Sequence, residues 1–199
     1  IGPDVEEFIM TPAARIAAVI EILADMQVAS AAGTLLGRQA GQWLRTGLQR
    51  RRYAGSGDRA AVGDLFWKIQ RGRARLGWHL ASINAPENPR NSALAALVLM
   101  EQKSAALPQL FSAEIAHAPA PLDDREAALV AMLETRDFID PAMPEHIALE
   151  WPEWLMADAK AGLGDGLMRE LAALMTEAPT DVRINPLKQP DRRRLRDQL

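Results

Sequence analysis

The chain has 199 residues, 48% hydrophobic and 25% charged, with no cysteine and a formal net charge of −3. That length and balance suit one substantial core, or one and a half domains. They exclude a disulfide framework and any cysteine-based metal site. No apolar run approaches the ~18 residues of a membrane span, and Asp4, Glu6 and Glu7 are wrong for the basic start of a signal peptide.

Residues 1–9 read as a leader or an expression remnant ahead of Met10-Thr-Pro. Thr11 is placed to cap a helix with Pro12 at its first position. Ile16, Val19, Ile20 and Leu23 then recur at helical spacing, and Gly33 breaks the pattern. A second helix carries Leu36, Ala40, Trp43 and Leu44 inward and ends near Gly47 to Arg52. Tyr53 to Gly57 is a turn. Gly57 or Asp58 opens a third, longest helix, with an apolar stripe of Val62, Leu65, Phe66, Ile69 and Leu76 and a polar one of Asp64, Lys68, Arg71 and Arg75. Asn84 to Arg90 is a loop. Ser92 to Lys103 is the candidate buried central helix. A short helix from Pro108 to Glu114 follows, then another around Leu129, Val130 and Leu133. Pro141 to Glu150 reads as a linker. Beyond it come Trp154 to Ala161, a glycine-rich turn at Gly162 to Gly166, and a helix from Leu167 to Glu177. Helices joined by short loops pack as a bundle, so the fold class is mainly α.

The charge is unevenly distributed. Between Arg38 and Arg75 stand ten basic residues and two acidic ones, a local excess of +8 in a chain whose remainder is −11. Such a region can hold a polyanion that the rest of the surface repels. Arg50, Arg51 and Arg52 sit at a helix end: their forked donors suit phosphate oxygens, and they also suit the negative end of a helix dipole. Lys68, Arg71 and Arg75 fall at i, i+3 and i+7, either a phosphate-facing stripe or a solvated face. Arg59 is either a phosphate contact or a structural arginine. Trp43, Trp67 and Trp78 are candidates for core packing or for stacking on bases, with Trp67 lying off the apolar stripe. Trp151 and Trp154 are expected to pin the linker. His79, His117 and His146 lack metal-ligand spacing, and no metal site is assigned.

The chain's last segment changes period. Val182 and Ile184 alternate with Asp181, Arg183 and Asn185 between Pro179 and Pro186, the pattern of a half-buried strand. A basic helical stretch from Arg192 to Leu199 follows. A lone strand cannot satisfy its own backbone, so the expectation is that the chain is the N-terminal part of a longer protein.

Trp151-Pro-Glu-Trp-Leu155, the helix from Leu163 to Glu177, and Val182-Arg-Ile-Asn-Pro-Leu-Lys188 together resemble the approach to the catalytic region in the Fmu/Sun family of S-adenosylmethionine-dependent RNA cytosine-C5 methyltransferases. Gly57-Asp-Arg-Ala-Ala-Val62, with Leu65, Arg71 and Leu76, is similar to the helix that the family's N-terminal extension shares with the NusB-like RNA-binding fold. The two matches span most of residues 11–199. The resemblance implies a NusB-like helical RNA-binding domain over 10–140, a linker over 141–150, and the first helices and one strand of a truncated α/β catalytic region over 151–199.

It further implies an RNA partner, ribosomal RNA foremost, and a cytoplasmic enzyme. The RNA-contact set would be Arg50, Arg51, Arg52, Arg59, Lys68, Arg71, Arg75, Arg183, Asn185 and Lys188. Family chemistry needs a cysteine thiolate to add to cytosine C6. With no cysteine here, no catalytic and no cofactor-binding residue is assigned within this chain. S-adenosylmethionine is expected for the full-length protein only, and this fragment is expected to be inactive. The alternatives are a stand-alone NusB-like RNA-binding module, in transcription or ribosome assembly, and a helical protein–protein adaptor.

Overall fold

A computed structural model describes residues 10–32, 39–176, 178, 183 and 185. Among these the regular structure is helical, with no strand. Val182, Ile184, Lys188 and the stretch from Arg192 to Leu199 lie outside the described residues, and so does the expected strand as a unit. Among the described residues, no helix is long and apolar enough to cross a membrane.

Helix α1 (Pro12–Ala31) starts where Thr11 Oγ1 accepts the Ala14 N–H at 3.1 Å, with Pro12 at the first position. It buries Ile16, Val19, Ile22 and Leu23. Helix α2 (Ala40–Arg50) and helix α3 (Ser56–Arg71) form a hairpin packed on α1. The α1–α2 approach is close: a Cβ added at Gly47 would meet Ile22 Cγ1 at 2.3 Å.

Sequence periodicity runs the third helix on through Leu76, but the structure breaks it at Gly72, where φ is −101° and ψ is 17°. The break allows close contact: a Cβ there would lie 3.0 Å from Phe138 Cζ and 3.4 Å from Met100 Cε. Helix α4 (Arg73–Ser82) continues in a new direction. Helix α5 (Pro89–Leu99) is the buried centre, with Ala93 through Leu99 all inside. Asn88 caps it, accepting the Asn91 N–H at 2.8 Å. α5 packs on α1, α3, α4 and on α7 (Asp124–Leu133). A single tight turn, α6 (Leu107–Leu110), lies against α1. α7 opens with a reciprocal cap, Asp123 accepting the Glu126 N–H at 2.8 Å and Glu126 the Asp123 N–H at 3.1 Å.

The segment expected to be a linker contains a short helix, α8 (Glu145–Ala148), packed on α4. α9 (Met156–Leu163) and α10 (Leu167–Leu174) follow; Gly162 lies within α9, and the turn that joins the two helices is Gly164–Gly166. Gly164 there takes φ +50°, which suits glycine. These last helices gather a second, small cluster of Leu149, Leu167 and Leu171, with Trp151, Met156 and Ala159 against it. Trp151 is half-buried in that cluster. Trp154 is 78% exposed and pins nothing.

Candidate nucleic-acid interface

The α2–α3 hairpin carries most of the basic run, and the structure sorts its cations into three kinds. Some are structural. Arg59 donates from Nε to the Ala54 carbonyl at 3.0 Å, from Nη1 to Leu48 at 3.3 Å and from Nη2 to Arg51 at 3.3 Å. It thus adds a cation to carbonyls around the end of α2, two of which also accept main-chain N–H groups, Leu48 from Arg51 at 3.1 Å and Arg51 from Ala54 at 3.0 Å. Its neighbour Asp58 is 3% exposed. The Asp58 carboxylate accepts from Met10 N at 3.1 Å, Gly55 N at 3.2 Å and Arg15 Nε at 2.9 Å. Burial alone would raise the Asp58 pKa. The Met10 N–H, Arg15 and the Gly55 N–H outweigh it and hold the carboxyl below its ordinary value. The Asp58-Arg59 pair therefore fastens the start of α1 and the end of α2 around one turn.

Arg75 is also structural. The break at Gly72 puts it on α4 rather than α3, so Lys68, Arg71 and Arg75 do not share one helical face. It is 7% exposed. Its Nε reaches Glu150 Oε1 at 3.0 Å, and its guanidinium lies over the Phe138 ring, 4.4 Å from the centroid. The expected surface role for Arg75 is corrected on this ground, because a guanidinium so enclosed does not present donors to a phosphate.

A second group is paired at the surface. Arg50 meets Asp25 at 2.6 Å, with both side chains open to water at 62% and 45%. Arg51 pairs with Glu21 and also donates to the Gly47 carbonyl at 2.9 Å. Lys68 pairs with Glu101, which Lys103 also reaches at 2.9 Å. The Lys68 hydrogen bond, with that of Lys103, draws the Glu101 pKa down against its partial burial. Asp64 is therefore not the carboxylate that Lys68 uses.

The third group is open. Arg45, Arg52 and Arg71 are exposed and have no hydrogen-bonding or ion-pair partner among the described residues. Arg45 lies on α2, Arg52 in the turn that follows it, and Arg71 ends α3. Arg45 belonged to the basic run but not to the expected contact set. Tyr53, next to Arg52, is 57% exposed. Arg183 and Asn185 are exposed, and Lys188 lies outside the described residues.

The tryptophans are mainly structural. Trp67 meets Phe66 edge-on at 5.3 Å, and its ring lies against Gly41 of α2. Trp43 packs on the main core. Trp78 stands edge-on to His79 at 5.1 Å. His79 is fully buried, with Nε2 3.2 Å from the Phe138 carbonyl and Nδ1 without a hydrogen-bond partner among the described residues. No cluster of three or more His, Asp or Glu among the described residues could hold a metal ion.

Comparison with family models, with curated proteins and with solved structures returns no match to this chain.

Proposed function

We propose that this chain is the RNA-positioning part of an S-adenosylmethionine-dependent RNA cytosine-C5 methyltransferase, with a NusB-like helical domain that grips ribosomal RNA. The observation that carries the reading is the set of three open arginines, Arg45, Arg52 and Arg71, on one helical hairpin. Among the other described residues of the basic run, arginines are tied to carboxylates or main-chain carbonyls. Three open guanidiniums on a protein of net charge −3 suit a local polyanion contact.

The domain's contribution is positioning. Holding a target RNA in register lowers the entropic barrier to a reaction performed by other groups. The cofactor supplies the methyl group and belongs to a further catalytic region. The described residues contain no strand leading through a glycine turn into a helix, the usual cradle for such a molecule, so no catalytic step is assigned to them. Isothermal titration with S-adenosylmethionine is expected to give no measurable binding to this chain.

The direct test is the salt dependence of RNA binding. A structured ribosomal RNA fragment should bind with a steep inverse dependence on salt, since each phosphate contact releases counterions. Changing Arg45, Arg52 and Arg71 together to Ala should reduce the slope of log K against log salt by about two to three without altering the circular dichroism spectrum. An unchanged slope in the folded variant would overturn this reading.

A further inference from the structure

The α2–α3 turn forms one side of a groove of about 820 Å³ that opens over α1. Tyr53, Arg50 and Arg51 line it from the turn, Glu21 and Asp25 from α1, and His117 from the segment after α6. Its size falls in the range of about 300–1,000 Å³ typical of small-ligand sites. A second groove, of about 590 Å³, lies between α1, α3 and the start of α5. It has no aromatic lining residue, and Arg73, its cation, stands 3.5 Å from Glu87.

We infer that the groove beside Tyr53 holds one unpaired, amine-bearing nucleotide of single-stranded RNA, its base against the Tyr53 ring. This rests on the RNA-binding reading above and deepens it. Four features converge. Tyr53 is the chain's one tyrosine, and it stands 57% exposed rather than in the core. An exposed ring beside cations is the usual platform for an unstacked base. Arg52, next in sequence, is open and can take the phosphate on one side of that base. The Glu21 and Asp25 carboxylates accept only, so they suit the exocyclic amine of cytosine, adenine or guanine, and uracil offers no such group. Their pairing with Arg51 and Arg50 balances the groove's charge, so an anionic nucleotide is not repelled.

Because the chain has a single tyrosine, 3-fluorotyrosine labelling gives one 19F resonance that reports on the groove. Titrating the labelled full chain with the tetranucleotide rC4 should shift that resonance saturably, and rU4 should need at least fivefold more. With fluorescein-labelled rC4 and anisotropy, Tyr53→Ala should weaken binding roughly 5- to 100-fold at every salt concentration. Tyr53→Phe should retain it, and the salt slope should be the same in both. No shift with either oligonucleotide, equal shifts with rC4 and rU4, or a shift that follows protein concentration alone (a contact between copies) would each overturn the inference. If structured RNA binds with a steep salt slope while the 19F line stays fixed, the groove assignment fails and the arginine surface stands. If rC4 moves the line while the triple arginine change leaves the slope unaltered, the reverse holds.

Discussion

Glu150 caps a helix that begins 77 positions earlier in the chain: its Oε1 accepts both the main-chain N–H of Arg75, at 2.9 Å, and the Arg75 Nε, at 3.0 Å. Its Oε2 accepts the Ala74 N–H at 2.8 Å. The break at Gly72 leaves the first N–H groups of α4 without partners from α3, and a carboxylate from outside satisfies them. Glu150 itself stands just past the end of α8 with φ +49°, where glycine is usual. The Trp151 N–H to His146 and Glu150 N–H to Ile147 bonds, both 2.9–3.0 Å, complete that helix ending. The strained backbone is held because the side chain it positions satisfies three donors.

Glu150→Ala should therefore destabilise the fold by about 3–5 kcal/mol, because it leaves the buried Arg75 charge unpaired as well as removing a cap. Glu150→Gln keeps an acceptor and should cost less. Urea denaturation of the two variants checks the order. Equal and small losses would mean that the Arg75 charge is solvated after all.

Acid should destabilise the protein in two separate windows. Burial pushes the His79 imidazole below its usual value, despite the Phe138 carbonyl, with Arg136 adding to the shift and Asp140 opposing it. The unfolded chain then binds more protons than the folded one, so stability declines as pH falls below about 6.5 and stops declining below the folded value. Asp58 is also depressed, which makes its contribution complete above about 4 and lost only as pH falls through its folded value. His79→Gln should flatten the first window and leave the second. The readout is the urea midpoint measured from pH 7.5 down to about 2.

Arg59→Ala should weaken the fold by about 1.5–3 kcal/mol, the range for hydrogen bonds to a charged group, by removing its bonds to the Ala54, Leu48 and Arg51 carbonyls. Under conditions where the variant is folded, its RNA salt slope should match that of the unaltered protein. A reduced slope would return Arg59 to the phosphate surface.

Gly47→Ala should cost about 1–3 kcal/mol, since the new methyl would overlap the buried Ile22 side chain. In an Ile22→Ala background, where Cγ1 and Cδ1 are gone, the same change should be far milder. Thermal melts of the four proteins in the cycle measure the coupling.

The helices were legible in the sequence because their causes are local. Thr11-Pro12 marks a helix start within a few residues, and the run from Ala93 to Leu99 announces its burial by composition, whereas the caps at Asn88 and Asp123 lie in segments that read as loop. The concentration of cations between Arg38 and Arg75 was equally plain. What the tertiary structure alone decided is which of those cations remain open. A charge run reads the same whether an arginine meets solvent, a carboxylate 75 positions away or the carbonyls of a turn. Arg75 lost its surface place because the chain turns at Gly72, under contact with Phe138 and Met100, and Arg59 because α2 ends beside it. Arg45, Arg52 and Arg71 were left over by the same packing. Helix period and capping follow from neighbours in sequence, whereas ion pairing depends on which distant segments the core brings within a few ångströms.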